Sequence, residues 1–359
     1  MKFQNFNNFS LNIVCLLLIF GITMNVQAQN KKPNIVILAT GGTIAGAGGS
    51  SVKGKYTAGQ LPVEQLIDAV PQAKDFANLS GQQVANIGSQ AMNNETWLKI
   101  AKKIDELSKD DNVDGIVITH GTDTMEETAF FVDLTTATDK PIVFVGAMRS
   151  ATALSADGPK NLYNAIGIAA SEDSKGRGVL VTLNDEIISA RFTTKTNTTA
   201  VNAFNGREFG ILGYVYDAKP VFYLRTEKRT TPESVFNVTN LRTLPQVDIV
   251  YGYSNANANL VKTLVNDKVD GIVYAGVGNG NLYPTVMKEL ENAVKHGIKV
   301  VRSSRVGSGR TTLGAEVEDE KYGFIASDYL NPQKARILLM LSLTKTKDYS
   351  KIQENFLEF

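Results

Sequence analysis

Short apolar runs rich in β-branched residues recur along this chain, separated by stretches of helical periodicity. Residues 34–39, 115–119, 141–146 and 178–183 read as buried strands. Between them, residues 97–107 set Leu98, Ile100, Ala101, Ile104 and Leu107 at helical spacing, and residues 161–170 read as another helix. Strands alternating with helices need crossover connections, so the pattern predicts an α/β fold with a parallel sheet covered on both faces. Residues 226–245 break the rhythm: they are polar and punctuated by Pro232 and Pro245, as suits a linker. A second series then begins, with strands at 247–251, 271–275 and 299–302 and a helix at 332–344. The expected architecture has two domains. A larger N-terminal domain at 33–224 holds a mostly parallel sheet flanked by helices. A linker at 225–245 leads to a smaller parallel-sheet α/β domain at 246–359.

The two series share an echo. Val113-Asp114-Gly115-Ile116-Val117 recurs as Val269-Asp270-Gly271-Ile272-Val273, and each copy runs into a polar, glycine-rich loop. Asp-Gly before a strand is a common turn, so the echo fits similar strand entries as well as shared ancestry.

Residues 1–28 follow another pattern. A polar start with the single charge of Lys2 precedes an apolar run at 11–21, and Val26-Gln27-Ala28 supplies a plausible cleavage site. The run is short for a membrane span. It reads as a cleavable signal peptide, which implies a periplasmic protein with no membrane attachment after cleavage. Removing it takes away one lysine and no acid, leaving 36 residues of each sign and no net charge. That balance argues against a nucleic-acid partner, which favours a basic face. The only cysteine, Cys15, lies within the signal, so the mature chain has neither thiol nor disulfide and depends on core size or assembly for stability.

Two threonines stand directly after strand-like runs. Thr43 follows Gly41-Gly42, and Thr122 follows His120-Gly121 and precedes Asp123. The carboxyl edge of an open α/β sheet is where small ligands bind. A threonine hydroxyl there can act as a nucleophile if a base and an oxyanion site are supplied. Tyr56 lies past a glycine-rich loop at 45–56 that suits an active-site lid, and its phenol is placed to exchange a proton with Thr43. Lys195 sits in a hydroxyl-dense stretch, Thr193-Thr194-Lys195-Thr196-Asn197. If buried, it would serve Thr122 as a base; otherwise it is a surface lysine. Thr122-Asp123 also fits a helix cap, and Gly41-Gly42-Thr43 also fits a phosphate-binding turn. Sharper phosphate motifs fail: residues 49–56 have P-loop spacing but end in Tyr56, and the dinucleotide fingerprint has Thr43 where its second glycine belongs. The mature chain has two histidines, His120 and His296, and no cysteine, so no metal and no cofactor is expected.

These pieces, in this order, resemble the bacterial type II L-asparaginases of the asparaginase/glutaminase family. The matching blocks are 38–46 (LATGGTIAG), 86–90 (NIGSQ), 114–128 (DGIVITHGTDTMEET), 155–159 (SADGP), 194–199 (TKTNTT), 275–283 (AGVGNGNLY), 300–306 (VVRSSRV) and 331–336 (NPQKAR). The resemblance implies hydrolysis of L-asparagine to L-aspartate and ammonia through a threonine acyl-enzyme, with some action on L-glutamine. It implies Thr43 as nucleophile with Tyr56 beside it, and Thr122, Lys195 and Asp123 as the group that assists proton transfer and positions water. It implies a clamp on the substrate's α-carboxylate and α-ammonium made by Ser89, Gln90 and Asp123. Asn281 and Glu316 would complete that clamp from a neighbouring subunit of a homotetramer built as a dimer of dimers. The sequence departs from the family pattern at Ala91, where relatives carry aspartate, and at Ser150, where proline is usual. The disulfide of some secreted relatives is absent. Two other readings are a secreted binding protein for amino acids, which would not need Thr43, Tyr56 and Lys195, and an amidotransferase subunit, which the signal peptide and neutral charge oppose.

Overall fold

The computed structural model describes residues 31–52, 55–228, 231, 234 and 236–359, so the signal-peptide segment lies outside the described residues. Residues 33–359 form one compact unit. Its first sheet is built on five parallel strands: β1 (Asn34–Gly41), β2 (Asn78–Ile87), β3 (Gly115–Thr119), β4 (Ile142–Val145) and β5 (Val179–Leu183). Strand β6 (Glu186–Ser189) turns back antiparallel to β5. A short pair follows, β7 (Thr194–Lys195) with β8 (Phe204–Asn205). Then β9 (Gly213–Tyr216) and β10 (Lys219–Phe222) finish the sheet in the order β10-β9-β6-β5-β4-β3-β1-β2.

The sheet is mostly parallel, as expected, and its antiparallel edge has a local cause. Asn184 and Asp185, between β5 and β6, both take positive φ (53° and 62°), and so do Asp217 and Ala218 between β9 and β10 (49° and 58°). Two-residue turns of that conformation match the twist of a hairpin, and a connection so short forces the next strand to run backwards.

Every residue of β3, β4 and β5 is buried, and β1 is buried after Asn34. Successive side chains therefore feed opposite layers. Ile35, Ile37 and Val117 meet α1 (Val63–Asp68) and α4 (Gly158–Ala169) on one face. Val36, Leu38, Ile116 and Ile118 meet α2 (Asn94–Ser108) and α3 (Met125–Thr135) on the other. Helix α4 begins before the expected position 161, with Pro159 in the first turn, where a missing N–H costs nothing.

The second sheet is parallel throughout, in the order β11 (Val247–Tyr251), β12 (Gly271–Gly276), β13 (Lys299–Ser304), β14 (Phe324–Ala326). Helices α5 (Asn259–Asn266) and α6 (Pro284–Lys295) cover one face. After the short α7 (Asp319–Tyr322), α8 (Pro332–Leu343) and α9 (Tyr349–Glu358) cover the other. The two sheets share a core: Phe130, Phe131 and Leu134 of α3 pack with Val247, Val273, Val301 and the fully buried Ile337–Leu341 run of α8. Residues 226–245 contain no α-helix or strand among those described, yet Phe236 and Val238 are buried in this core, Phe236 against Phe359 at 5.2 Å between ring centres.

The sequence echo has a structural counterpart. Asp114 accepts the main-chain N–H of Asn34 at 2.7 Å, and Asp270 accepts that of Gln246 at 2.9 Å. In both copies the aspartate's own N–H returns a bond to the same residue's carbonyl, each at 2.9 Å. The device clamps the start of one parallel strand, Asn34 in β1 and Gln246 just before β11, to the entry of the next, once in each sheet. Deleting the Asp114 carboxylate leaves the half-buried Asn34 donor unpaired, at a cost of about 1–3 kcal/mol. Asp114→Ala should therefore lower the free energy of unfolding, read from a urea titration, by that amount while ellipticity is unchanged; a variant as stable as the wild type would refute the clamp.

Candidate active site

Strand order reverses at β1. The chain leaves β1 for β2 on one side and returns to β3 on the other, so β1 and β3 flank a topological switch point. A crevice opens there beyond the carboxyl ends of the strands. Thr43 follows β1, Ser89 follows β2 and Thr122 follows β3, so all three lie on that edge.

Glycine brings the first and third of these turns together. Gly41 and Gly42 hold φ of 104° and 80°, a region costly to residues with a Cβ. A Cβ on Gly42 would stand 2.3 Å from the Gly121 nitrogen, and one on Gly121 would stand 2.6 Å from Ser89 Oγ. The Thr40 hydroxyl donates to the Thr119 carbonyl at 2.9 Å and ties the same strand ends together.

Thr43 opens a one-turn 3-10 helix, and its hydroxyl lies 2.7 Å from the Tyr56 phenol. The loop between them closes through reciprocal main-chain bonds of Ala47 and Thr57. It also rests on residues 150–154: Ala151 N–H donates to Gly46 O, Leu154 N–H to Ser51 O, and Gly48 N–H to the Thr152 hydroxyl. Ser150 is buried at the base of that support, and its carbonyl accepts from Ala153 N–H at 2.9 Å.

The second group is assembled from distant parts of the chain. Lys195, in β7, donates from Nζ to Thr122 Oγ1 at 2.9 Å and to Asp123 Oδ1 at 2.7 Å. The lysine side chain is 16% exposed and the aspartate 59%, so the ammonium is largely enclosed while the carboxylate faces solvent. The surface-lysine alternative does not hold. Neither Thr122 nor Asp123 caps a helix with its side chain. Ser89 Oγ accepts the Asp123 N–H at 3.2 Å, which leaves the serine proton to give, and Ser89 O accepts the Thr124 hydroxyl. Gln90 is exposed, with its amide folded over Gly88. Ala91 follows on the same exposed turn.

Asn281 and Glu316 meet each other, Nδ2 to Oε2 at 2.5 Å. Among the described residues no hydrogen bond or ion pair joins either to the threonine group. Their loops are held from beneath by a buried ion pair that the sequence reading missed. Arg302, fully enclosed in β13, binds both oxygens of Asp319 at 2.5 and 2.7 Å and also the carbonyls of Asn279, Gly280 and Thr312. An arginine in the predicted strand at 299–302, directly after Val300 and Val301, was the available signal.

Chemically, the edge presents two hydroxyls, each bonded to a group that can exchange a proton, beside an exposed carboxylate and a serine with a proton to donate. That combination gives one edge of an α/β sheet hydroxyls of the kind that can attack a carbonyl and groups of the kind that can move a proton. Residues 34–228 match the model of the asparaginase family's N-terminal domain, and residues 246–356 match that of the glutaminase/asparaginase C-terminal domain. The chain belongs to the asparaginase family. It is 57% identical over 328 residues to L-asparaginase 2 of Escherichia coli, covering 91% of this chain and 93% of that one. It is 53% identical over 346 residues to the probable periplasmic L-asparaginase of Haemophilus influenzae, covering 96% and 99%. The crystal structure of a probable cytoplasmic L-asparaginase from Campylobacter jejuni superposes with a TM-score of 0.89 at 50% identity, over 91% of this chain and all of that one.

His120 sits between β3 and the Thr122 turn, fully buried, with Nδ1 2.7 Å from Gly121 O and Nε2 without a partner. Burial lowers its pKa to about 4, partly opposed by the Gly121 carbonyl. An unfolded imidazole takes up a proton below about 6.5, whereas the folded one refuses it until about 4. The unfolded state therefore binds more protons in that window, and stability falls as pH falls through it. Asp133 opposes this in the same range, because burial pushes its carboxyl up to about 7. Comparing wild type with H120Q cancels the Asp133 effect. Between pH 7 and 5 the wild type should lose about 2 kcal/mol more than the variant, read by denaturant titration; equal losses would contradict a buried neutral His120.

Proposed function

We propose that the chain hydrolyses L-asparagine to L-aspartate and ammonia, with L-glutamine as a secondary substrate, through an acyl-enzyme on Thr43. The observation that carries this reading is the convergence of Thr43–Tyr56 and Thr122–Lys195–Asp123 on one sheet edge. Thr43 Oγ1 attacks the side-chain carboxamide carbon, and its proton leaves by way of Tyr56. The C–N bond breaks, ammonia departs and an ester remains on Thr43. Water held by Thr122 and Lys195 then hydrolyses the ester and restores the hydroxyl. Glycine-supported main-chain N–H groups around Thr43 suit the developing oxyanion.

The substrate's two charged ends have matching partners. The Asp123 carboxylate suits the α-ammonium, while the Ser89 hydroxyl and the Gln90 amide suit the α-carboxylate. Asn281 and Glu316 would complete the clamp from a neighbouring subunit of a homotetramer. Their lack of a bond to the threonine group within the described chain is consistent with that role. With Ala91 in place of an acid, the clamp carries less negative charge. The N-terminal pattern and the H. influenzae relative's name support a periplasmic location.

General acid–base and nucleophilic groups are each worth about 10²–10⁴-fold in rate. Thr43→Ala should lower ammonia release from asparagine by at least about that factor, with the fold retained by circular dichroism. Near-normal release by the variant would remove Thr43 as nucleophile. Tight asparagine binding by the wild type without any ammonia would favour a binding protein instead.

A further inference from the structure

Lys195 is held at both of its ends by the start of one helix. Thr122 and Asp123, just before α3, take its ammonium. Glu126, one helical turn on, accepts its main-chain N–H on Oε2 at 3.0 Å. Glu126 is buried, and its other oxygen accepts from Asn331 Nδ2 at 3.3 Å and from Gln333 Nε2. Both donors come from the first turn of α8, in the C-terminal half, within the Asn331–Arg336 motif (NPQKAR) that no role yet covers.

The same turn grips the strand that carries the lysine. Asn331 Nδ2 also reaches Thr194 Oγ1 at 3.4 Å, while its Oδ1 caps α8 by accepting from Lys334 N–H. Lys334 is fully buried and donates from Nζ to the carbonyls of Ala190, Arg191 and Thr193 at 2.9, 2.7 and 2.5 Å. Burial lowers its pKa to about 7 and Glu126 pulls it back up. Three acceptors match the three protons of the charged form, whereas a neutral amine has two. These contacts all end on residues 190–195 or on Glu126.

We infer that Glu126, with Asn331, Gln333 and Lys334, is a positioning group that sets Lys195 over Thr122. Each C-terminal half thereby aligns the threonine site of its own chain. The physical need is specific. A lysine ammonium sits on a flexible four-carbon stem, so its placement between two acceptors is only as good as the placement of its backbone. Side chains from the start of α8, which the buried Lys334 and Ala335 anchor, supply a fixed reference. The inference rests on the proposed role of Lys195, and the test separates the two.

The experiment is steady-state asparagine hydrolysis and thermal melting of the full-length variants Glu126→Ala, Glu126→Gln, Gln333→Ala and Lys195→Met. A misplacement of about 1 Å costs about 10²-fold in rate. Glu126→Ala should lower kcat by that order with KM little changed, the signature of a contact felt in the transition state. Glu126→Gln should recover most of the loss, because its amide oxygen still accepts the Lys195 N–H and the Gln333 amide, which caps nothing, can turn to accept from the new NH2. Gln333→Ala, milder for folding, should show a smaller fall in kcat at an unchanged folded fraction. If Lys195→Met is inactive while Glu126→Ala and Gln333→Ala keep wild-type kcat, the positioning role is overturned. It is equally overturned if kcat falls only as far as the folded fraction does, or if Glu126→Gln is no better than Glu126→Ala. If Lys195→Met itself stays active, the catalytic reading of the lysine fails instead.

Discussion

The contact of Gly42 with Gly121 is the constraint on which the site depends. Each glycine ends the run-out of a parallel strand, and each stands one residue before a threonine. The backbones approach so closely that a Cβ on Gly42 would lie 2.3 Å from its neighbour's nitrogen. Such an approach is available only at the switch point, where two adjacent strands send their chains to opposite sides. The constraint fixes the separation of the two hydroxyls through backbone, which is stiffer than any side-chain arrangement. Groups held in fixed positions lose little freedom when they act together, which is what a preorganised site needs.

The C-terminal half meets this edge without supplying Thr43, Ser89, Thr122 or Lys195. Its influence passes through two buried polar centres, Arg302–Asp319 under the Asn281 and Glu316 loops and Lys334 under residues 190–193. Burying a charge costs several kcal/mol after relaxation, and pairing roughly returns it. These centres therefore do little for net stability. Their value is geometric: a guanidinium with four carbonyl or carboxylate partners in fixed directions holds two loops in a single arrangement, which apolar packing of the same volume would not specify. The apolar share is carried elsewhere, by the core that α3 and α8 have in common.

Much of the framework is legible because its strands are buried on both faces. The runs at 115–119 and 271–275 fall on β3 and β12, in which every residue is buried, since a continuous β-branched run has few other ways to fold. The hairpins at Asn184-Asp185 and Asp217-Ala218 were not read, because neither contains the glycine that marks such turns. Helix α3 was hidden for a different reason. It is buried nearly all round, between its own sheet and the second one, so it has no polar stripe to give it a period. The polar stretch before β11 reads as an interdomain linker, and its pattern gave no sign that Phe236 and Val238 within it are core residues.

The site divides along the same line. Thr43 and Thr122 could be read locally, since each announces itself by glycine at a strand end. Lys195 could not, because nothing near it in sequence says that Thr122 and Asp123, more than seventy positions earlier, will receive its ammonium. Resemblance supplied the lysine, and the structure supplies the reason. The lysine sits on a two-residue strand too short to hold itself, paired only with β8 and otherwise dependent on groups from elsewhere. A side chain placed on so slight an element must draw its rigidity from its surroundings. That is why the residues that brace it are scattered from Glu126 to Lys334, while the two hydroxyls need only the glycines beside them.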